Sequence, residues 1–188
     1  MNNSFFSTPK AMIFASFGIV INLVLGTIAQ TIHIPLLFLD TMGTILVSVV
    51  LGPLAGALTG GLTNVIQGFI TNPKDIPFAL VNIAIGLIVG FIAKKRGFEL
   101  KTAVATGLIL AVVAPLIGTP IAIFIYGGIT GSGTDLIFAW LYATGSSIFT
   151  AAFIPRITGN IIDKLASCLL VYVLLKRMPS SLLEGLKK

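Results

Sequence analysis

Charge is what this sequence has least of. Only 10% of its 188 residues are Asp, Glu, Lys or Arg, against about 25% in ordinary soluble domains. Hydrophobic residues make up 56%, and a single core of this size could not hide so much apolar surface from water. A bilayer removes the difficulty, because lipid solvates an apolar exterior. Cysteine is nearly absent too. The one copy, Cys168, sits in an apolar run, which excludes an intrachain disulfide and any Cys-rich metal motif. The lone histidine, His33, makes no metal site by itself. No Gly-x-x-x-x-Gly-Lys-Ser/Thr occurs; Gly131-Ser-Gly-Thr134 is glycine-rich but lacks the lysine needed to hold ATP phosphates. There is no His-Glu-x-x-His and no Gly-x-Ser-x-Gly. The sequence therefore points to no enzyme, no cofactor and no metal.

What is present is a series of long apolar runs. A spanning helix needs about 20 apolar residues, and 11–29 fits. Residues 1–10 are polar with one basic residue, and no small-residue cleavage site follows a short core, so a retained first helix is expected and not a signal peptide. The stretch 36–70 is too long for one span. Gly52-Pro53 divides it, because proline is disfavoured inside a helix and welcome in its first turn. Two hairpin helices, 36–52 and 53–70, are predicted. Thr71-Asn-Pro-Lys-Asp-Ile-Pro77 reads as a loop. Further spans are predicted over 78–93, 102–126 with Pro115 and Pro120, and 157–175.

The segment 134–153 is ambiguous. It is apolar enough to span, yet contains Asp135, Trp140 and Tyr142. The basic residues arbitrate. Formal net charge is +6, and the cations flank apolar runs instead of forming a basic face with interleaved aromatics, so nucleic acid is not the expected partner. With six spans, nine of the 12 Lys and Arg (Lys10, Lys94, Lys95, Arg96, Lys101, Lys176, Arg177, Lys187 and Lys188) lie on one side. That is the cytoplasmic side by the positive-inside rule. Counting 134–153 as a span, or merging the hairpin, breaks this bias. The expected fold is thus a single all-α integral membrane domain over 1–188. It has six transmembrane helices, both termini in the cytoplasm, and an outer re-entrant or interfacial helix at 134–153.

Polar groups inside spans are expensive and tend to be functional. In the six-span arrangement Asp40, Asn64, Gln67, Asn82, Asn160 and Lys164 all fall toward the outer side, with His33 on an outer loop. Asn64 and Gln67 share a helix face at i, i+3, and so do Asn160 and Lys164 at i, i+4. Two readings stand. The set lines an outward-facing pocket for a small polar molecule, or it is interhelical glue, which polar side chains also supply in membranes. Asp163 beside Lys164 reads equally as a neutralised pair. Small residues make a second pattern: Ala11-x-x-x-Ala15, and Gly52, Gly56, Gly60 and Gly61, let helix backbones approach closely, either internally or against another membrane protein.

Taken together, Ala11-x-x-x-Ala15, Leu39-Asp-Thr-Met-Gly-Thr44, Leu51-Gly-Pro-Leu-Ala-Gly-Ala-Leu58 and Lys94-Lys-Arg-Gly97 carry a resemblance over most of the chain. It resembles the substrate-binding S components of energy-coupling factor (ECF) transporters, bacterial vitamin importers, and among them the riboflavin-type subfamily. The resemblance implies capture of a small vitamin or vitamin precursor, of riboflavin, pyridoxine or pyrimidine-like type, at the bacterial plasma membrane. It implies a separate transmembrane coupling subunit and two ATPase subunits that drive release inside, which agrees with the missing ATP motif. Ala11 and Ala15 match the family's docking step for the coupling subunit, and 30–40 matches its lid. The rival is a stand-alone membrane protein, either a sensory domain or an enzyme without a recognisable motif.

Overall fold

The computed structural model describes residues 8–32, 36–131 and 133–187. It is all-helical over them. Helix α1 is Pro9–Ile32, α2 Met42–Leu51, α3 Pro53–Ile70, α4 Ala79–Arg96, α5 Leu100–Tyr126, α6 Asp135–Ala143, α7 Ile148–Arg177 and α8 Ser180–Lys187; a 3₁₀ turn, Pro73–Phe78, leads into α4. Four stretches are long and apolar enough to cross a membrane: Pro9–Ala29, Pro73–Arg96, Leu100–Tyr126 and Ile148–Arg177.

Each long helix carries an apolar face with no protein against it. On α1, Met12, Ile13, Phe17, Val20 and Val24 are exposed, as are Leu108, Val112 and Leu116 on α5. Such a surface suits lipid and would be a liability in water. The opposite stripe of α1, Ala11, Phe14, Ala15, Gly18, Asn22, Gly26 and Ala29, is buried at the 3–4 spacing of one helix face. Small residues on it allow very close contact with α2: a Cβ on Gly43 would overlap the backbone of Gly18. Likewise α4 lies so near α3 that a Cβ on Gly86 would overlap the backbone at Gly56 and Ala57. The glycines of the hairpin are therefore used for internal packing, as their spacing allows.

The hairpin itself forms where the sequence divides it. Gly52 sits between α2 and α3 at φ 97°, a conformation that favours glycine, and Pro53 opens α3. The start of α2 is a correction. A helix was expected from residue 36, but α2 begins at Met42. The cause lies elsewhere in the chain: the amides of Phe38 and Leu39 donate to Asp163 on α7 instead of joining a helix. Ten helical residues rise about 15 Å.

The outer segment 134–153 is also not one unit. It divides into α6 and the first turns of α7, separated by a turn at Gly145 with φ 93°. Ser147 caps α7 by accepting the Thr150 amide. The last span consequently begins at Ile148 and not at 157, and Pro155 lies within it. Phe138 of α6 is buried against Ala151 and Ala152 of α7, while Trp140 and Tyr142 are exposed. At the other end α4 stops as expected, with Lys94, Lys95 and Arg96 in its last turn and Gly97 at φ 72°.

A buried polar cluster pins α1 to the hairpin. The Asn22 amide nitrogen donates to the hydroxyls of Thr44 (2.8 Å) and Thr63 (3.1 Å). Its oxygen accepts the backbone amides of Gly43 (2.6 Å) and Thr44 (3.3 Å). Those two amides belong to the first turn of α2, which has no carbonyl partners of its own. Asn22 therefore caps α2 from a neighbouring helix.

Candidate functional site

The end of the bundle away from Lys94–Arg96 holds a cavity of about 320 Å³. It is lined by the 38–41 segment before α2, the second half of α3, the 73–78 turn, the start of α4, the middle of α5, the 130–134 loop and the first half of α7. Those are the helix ends that the hairpin connectivity brings to one side. Of the seven residues singled out in the sequence, Asp40, Asn64, Gln67, Asn82, Asn160 and Lys164 line this one cavity. His33 lies outside the described residues.

Their bonding separates them. Asn82 donates to Asn64 Oδ1 at 2.8 Å, while the Asn82 oxygen is buried without a partner among the described residues. Asn160 reaches back to the Arg156 carbonyl at 2.8 Å. Gln67 is half-buried and has no side-chain partner among the described residues. Lys164 is different. Its ammonium meets Asp163 at 2.5 Å, Thr41 Oγ1 at 3.0 Å and Asp40 at 3.4 Å, so all three of its protons point at protein acceptors. Both Lys164 and Asp163 are buried, whereas the Asp40 side chain is 43% exposed.

The structure adds residues that the sequence reading passed over. Arg156 lines the cavity and is buried, donating to the carbonyls of Ala152 (2.9 Å) and Gly128 (3.0 Å) and to Thr130 Oγ1 (3.4 Å). A signal for it existed: Arg156, Asn160 and Lys164 recur every four residues and share a helix face. Placing the helix start after Pro155 hid that repeat. Asp75 joins from the 73–78 turn, held by the Tyr126 hydroxyl at 2.8 Å, which in turn accepts from Asn72 at 3.0 Å. Phe38 and Phe78 give the cavity aromatic wall, and Val81, Ile85, Ala114 and Pro115 its apolar floor.

One wall is backbone under strain. The segment 36–41 runs without helix past Gly159 of α7, which Leu36 and Phe38 approach, and past Gly26 of α1, where a Cβ would press on Asp40. Leu36 (φ 63°) and Leu39 (φ 54°) are the non-glycine residues with positive φ among those described. Such a conformation costs of order 1–3 kcal/mol per residue unless the surroundings impose it.

A sequence model of the ECF transporter, substrate-specific component, matches residues 10–175. The chain belongs to that family. As an S component it is a multi-pass membrane protein that binds a transported substrate, and S components are not enzymes. No curated protein and no solved structure matches the chain. The matched range takes in every element that lines the cavity. Ala11 and Ala15 are 2% and 5% exposed. They lie on the inner stripe of α1, where Ala15 packs in the same cluster as Phe14 and Leu186 of α8.

Proposed function

We propose that the cavity captures a small, water-soluble vitamin or vitamin precursor with a flat ring, of riboflavin, pyridoxine or pyrimidine-like type. The observation that carries this reading is the gathering of Asn64, Gln67, Asn82, Asn160 and Asp40 around one cavity between Phe38 and Phe78. Amides supply both donors and acceptors, and aromatic and apolar walls suit a planar heterocycle. The charges narrow the class. Arg156 and Lys164 are matched by Asp40 and Asp75 in the wall, with Asp163 paired behind them. Among the described residues the wall has no surplus of positive charge to hold a phosphate, which favours a neutral or zwitterionic substrate over a phosphorylated one.

In this reading six segments cross the membrane. The α2 crossing combines about 15 Å of helix with the non-helical 36–41 segment that leads into it. Both termini face the cytoplasm of a bacterium, the cavity opens outward, and Trp140 and Tyr142 sit at headgroup level. A transmembrane coupling subunit and two ATPase subunits drive release, with Ala11 and Ala15 as the docking step. The full chain purified from its native membrane, with bound small molecules identified by mass spectrometry, tests the substrate. A retained unphosphorylated ring compound, with ATPase subunits in the same preparation, is the expected result. A bound lipid or peptide, or consistent absence of ATPase subunits, overturns it.

A further inference from the structure

Asp163 makes more contacts than a neutralising counterion needs. One carboxylate oxygen accepts the backbone amides of Phe38 and Leu39, each at 2.8 Å. The other meets Lys164 at 2.5 Å, and Lys164 extends the grip to Thr41 Oγ1 and Asp40. Four consecutive residues of the 36–41 segment are thus held from a single point on α7. Asp163 is completely buried, and the segment it holds contains both strained leucines. Phe38, Asp40 and Thr41 of that segment form cavity wall. A strained backbone persists only while something over-determines it, and here the polar restraint on Phe38 and the strained Leu39 is Asp163, with Lys164 holding the next two.

We propose that Asp163 is a positioning residue, the latch that holds the strained 36–41 segment shut as one wall of the cavity. This rests on reading the cavity as the substrate site, since the latch then governs entry and exit. Releasing the two amides lets Leu36 and Leu39 relax to ordinary backbone. The strain therefore favours opening, and the carboxylate opposes it. Lys164 holds the carboxylate in this orientation through its other oxygen, which accounts for a wall residue directing all its donors into protein.

Hydrogen exchange of the full chain in lipid nanodiscs, with no ligand added, tests the latch separately from the substrate. Asp163→Leu, which keeps the bulk but removes both acceptor oxygens, should speed exchange of the Phe38 and Leu39 amides by about ten- to hundred-fold, the size of a lost charge-assisted hydrogen bond. The cytoplasmic half of α7 should keep its protection. Asp163→Leu combined with Lys164→Met avoids a stranded ammonium and should show the same local opening. Leu39→Gly, for which positive φ is not strained, should slow exchange at Phe38 relative to the parent. Unchanged exchange at Phe38 and Leu39 in both Asp163 variants overturns the latch, as does loss of protection spread evenly along α7. Local opening in a protein that retains no ring compound upholds the latch and refutes the substrate reading.

Discussion

Replacing Asn22 by alanine tests whether one buried amide sets the position of the whole α2 hairpin. The side chain is fully buried and makes four hydrogen bonds, two to threonine hydroxyls and two from first-turn amides of α2. Interhelical side-chain bonds in membranes average only about 0.6 kcal/mol, so Thr44 and Thr63 together account for roughly 1 kcal/mol by that average. The two amides are a different matter. Losing a helix cap costs about 0.5–2 kcal/mol, and lipid offers no substitute acceptor. The expected total is about 2–3 kcal/mol from these two sources. Equilibrium unfolding in mixed micelles would measure it, with Thr63→Val as a control that should lose only about 0.6 kcal/mol. Asn22→Ala should also loosen the cavity, because Asp40 and Thr41 immediately precede the capped turn. A loss below about 0.5 kcal/mol, smaller than one average membrane hydrogen bond, would refute the cap: α2 would then be held by its packing against α1, α3, α4 and α7.

Three further outcomes follow from the site and the proposed topology. Asn160→Ala and Gln67→Ala should each weaken substrate binding by about 5- to 150-fold, the range for a buried polar contact, as read by calorimetry once the bound molecule is known. Both variants binding within about twofold of the parent would place the substrate elsewhere. In a Cys168→Ala background, single cysteines at Asn72 and Lys95 should label from opposite sides of sealed vesicles; same-side labelling would break the six-crossing arrangement. Gly86→Leu, which drives a side chain into the α3 backbone at Gly56 and Ala57, should cost at least about 1–3 kcal/mol as overpacking, measured by the same unfolding assay.

Local chemistry was legible in the sequence, and long-range chemistry was not. Gly52-Pro53 and Lys94–Gly97 could be read because each end signal acts within one turn of its own helix. The grouping of Asn64, Gln67, Asn82 and Asn160 could be read because hairpin connectivity and charge bias together assign each helix end to a side. The start of α2 could not. Residues 36–39 are apolar and look helical, and only Asp163, far away in the chain, diverts the amides of Phe38 and Leu39. Asn22 went unnoticed because one polar residue in a long apolar run barely alters hydropathy, yet its partners all sit on another hairpin. Arg156 falls just outside the span read over 157–175. In the structure Ser147 has already started the helix two turns earlier, and a proline within it is tolerated.

The alanine step on α1 leads to the last prediction. Ala11 and Ala15 cannot meet a coupling subunit while they are 2% and 5% exposed. Helices α2, α3 and α8 all pack against α1, and Leu186 of α8 is buried in the same cluster as Ala15 and Phe14. Helix α8 has only eight residues, too few to be stable without the surface it rests on. Small residues beneath it offer little side-chain area to grip, and the same smoothness suits the close approach of a larger helix. If docking uses this step, α8 competes for it. Ending the chain after Met178 should then leave substrate binding within about twofold and raise the affinity for the coupling module, by up to the factor that α8 occupancy imposes. Ala15→Trp should abolish coupling with or without α8. Both can be read by reconstituting the full chain and the shortened chain with coupling and ATPase subunits and measuring ATP-driven uptake. Should the shortened chain bind substrate normally yet fail to couple, α8 would be part of the docking surface and not its rival. Normal coupling by Ala15→Trp would reduce the alanine step to internal packing between α1, α2 and α8.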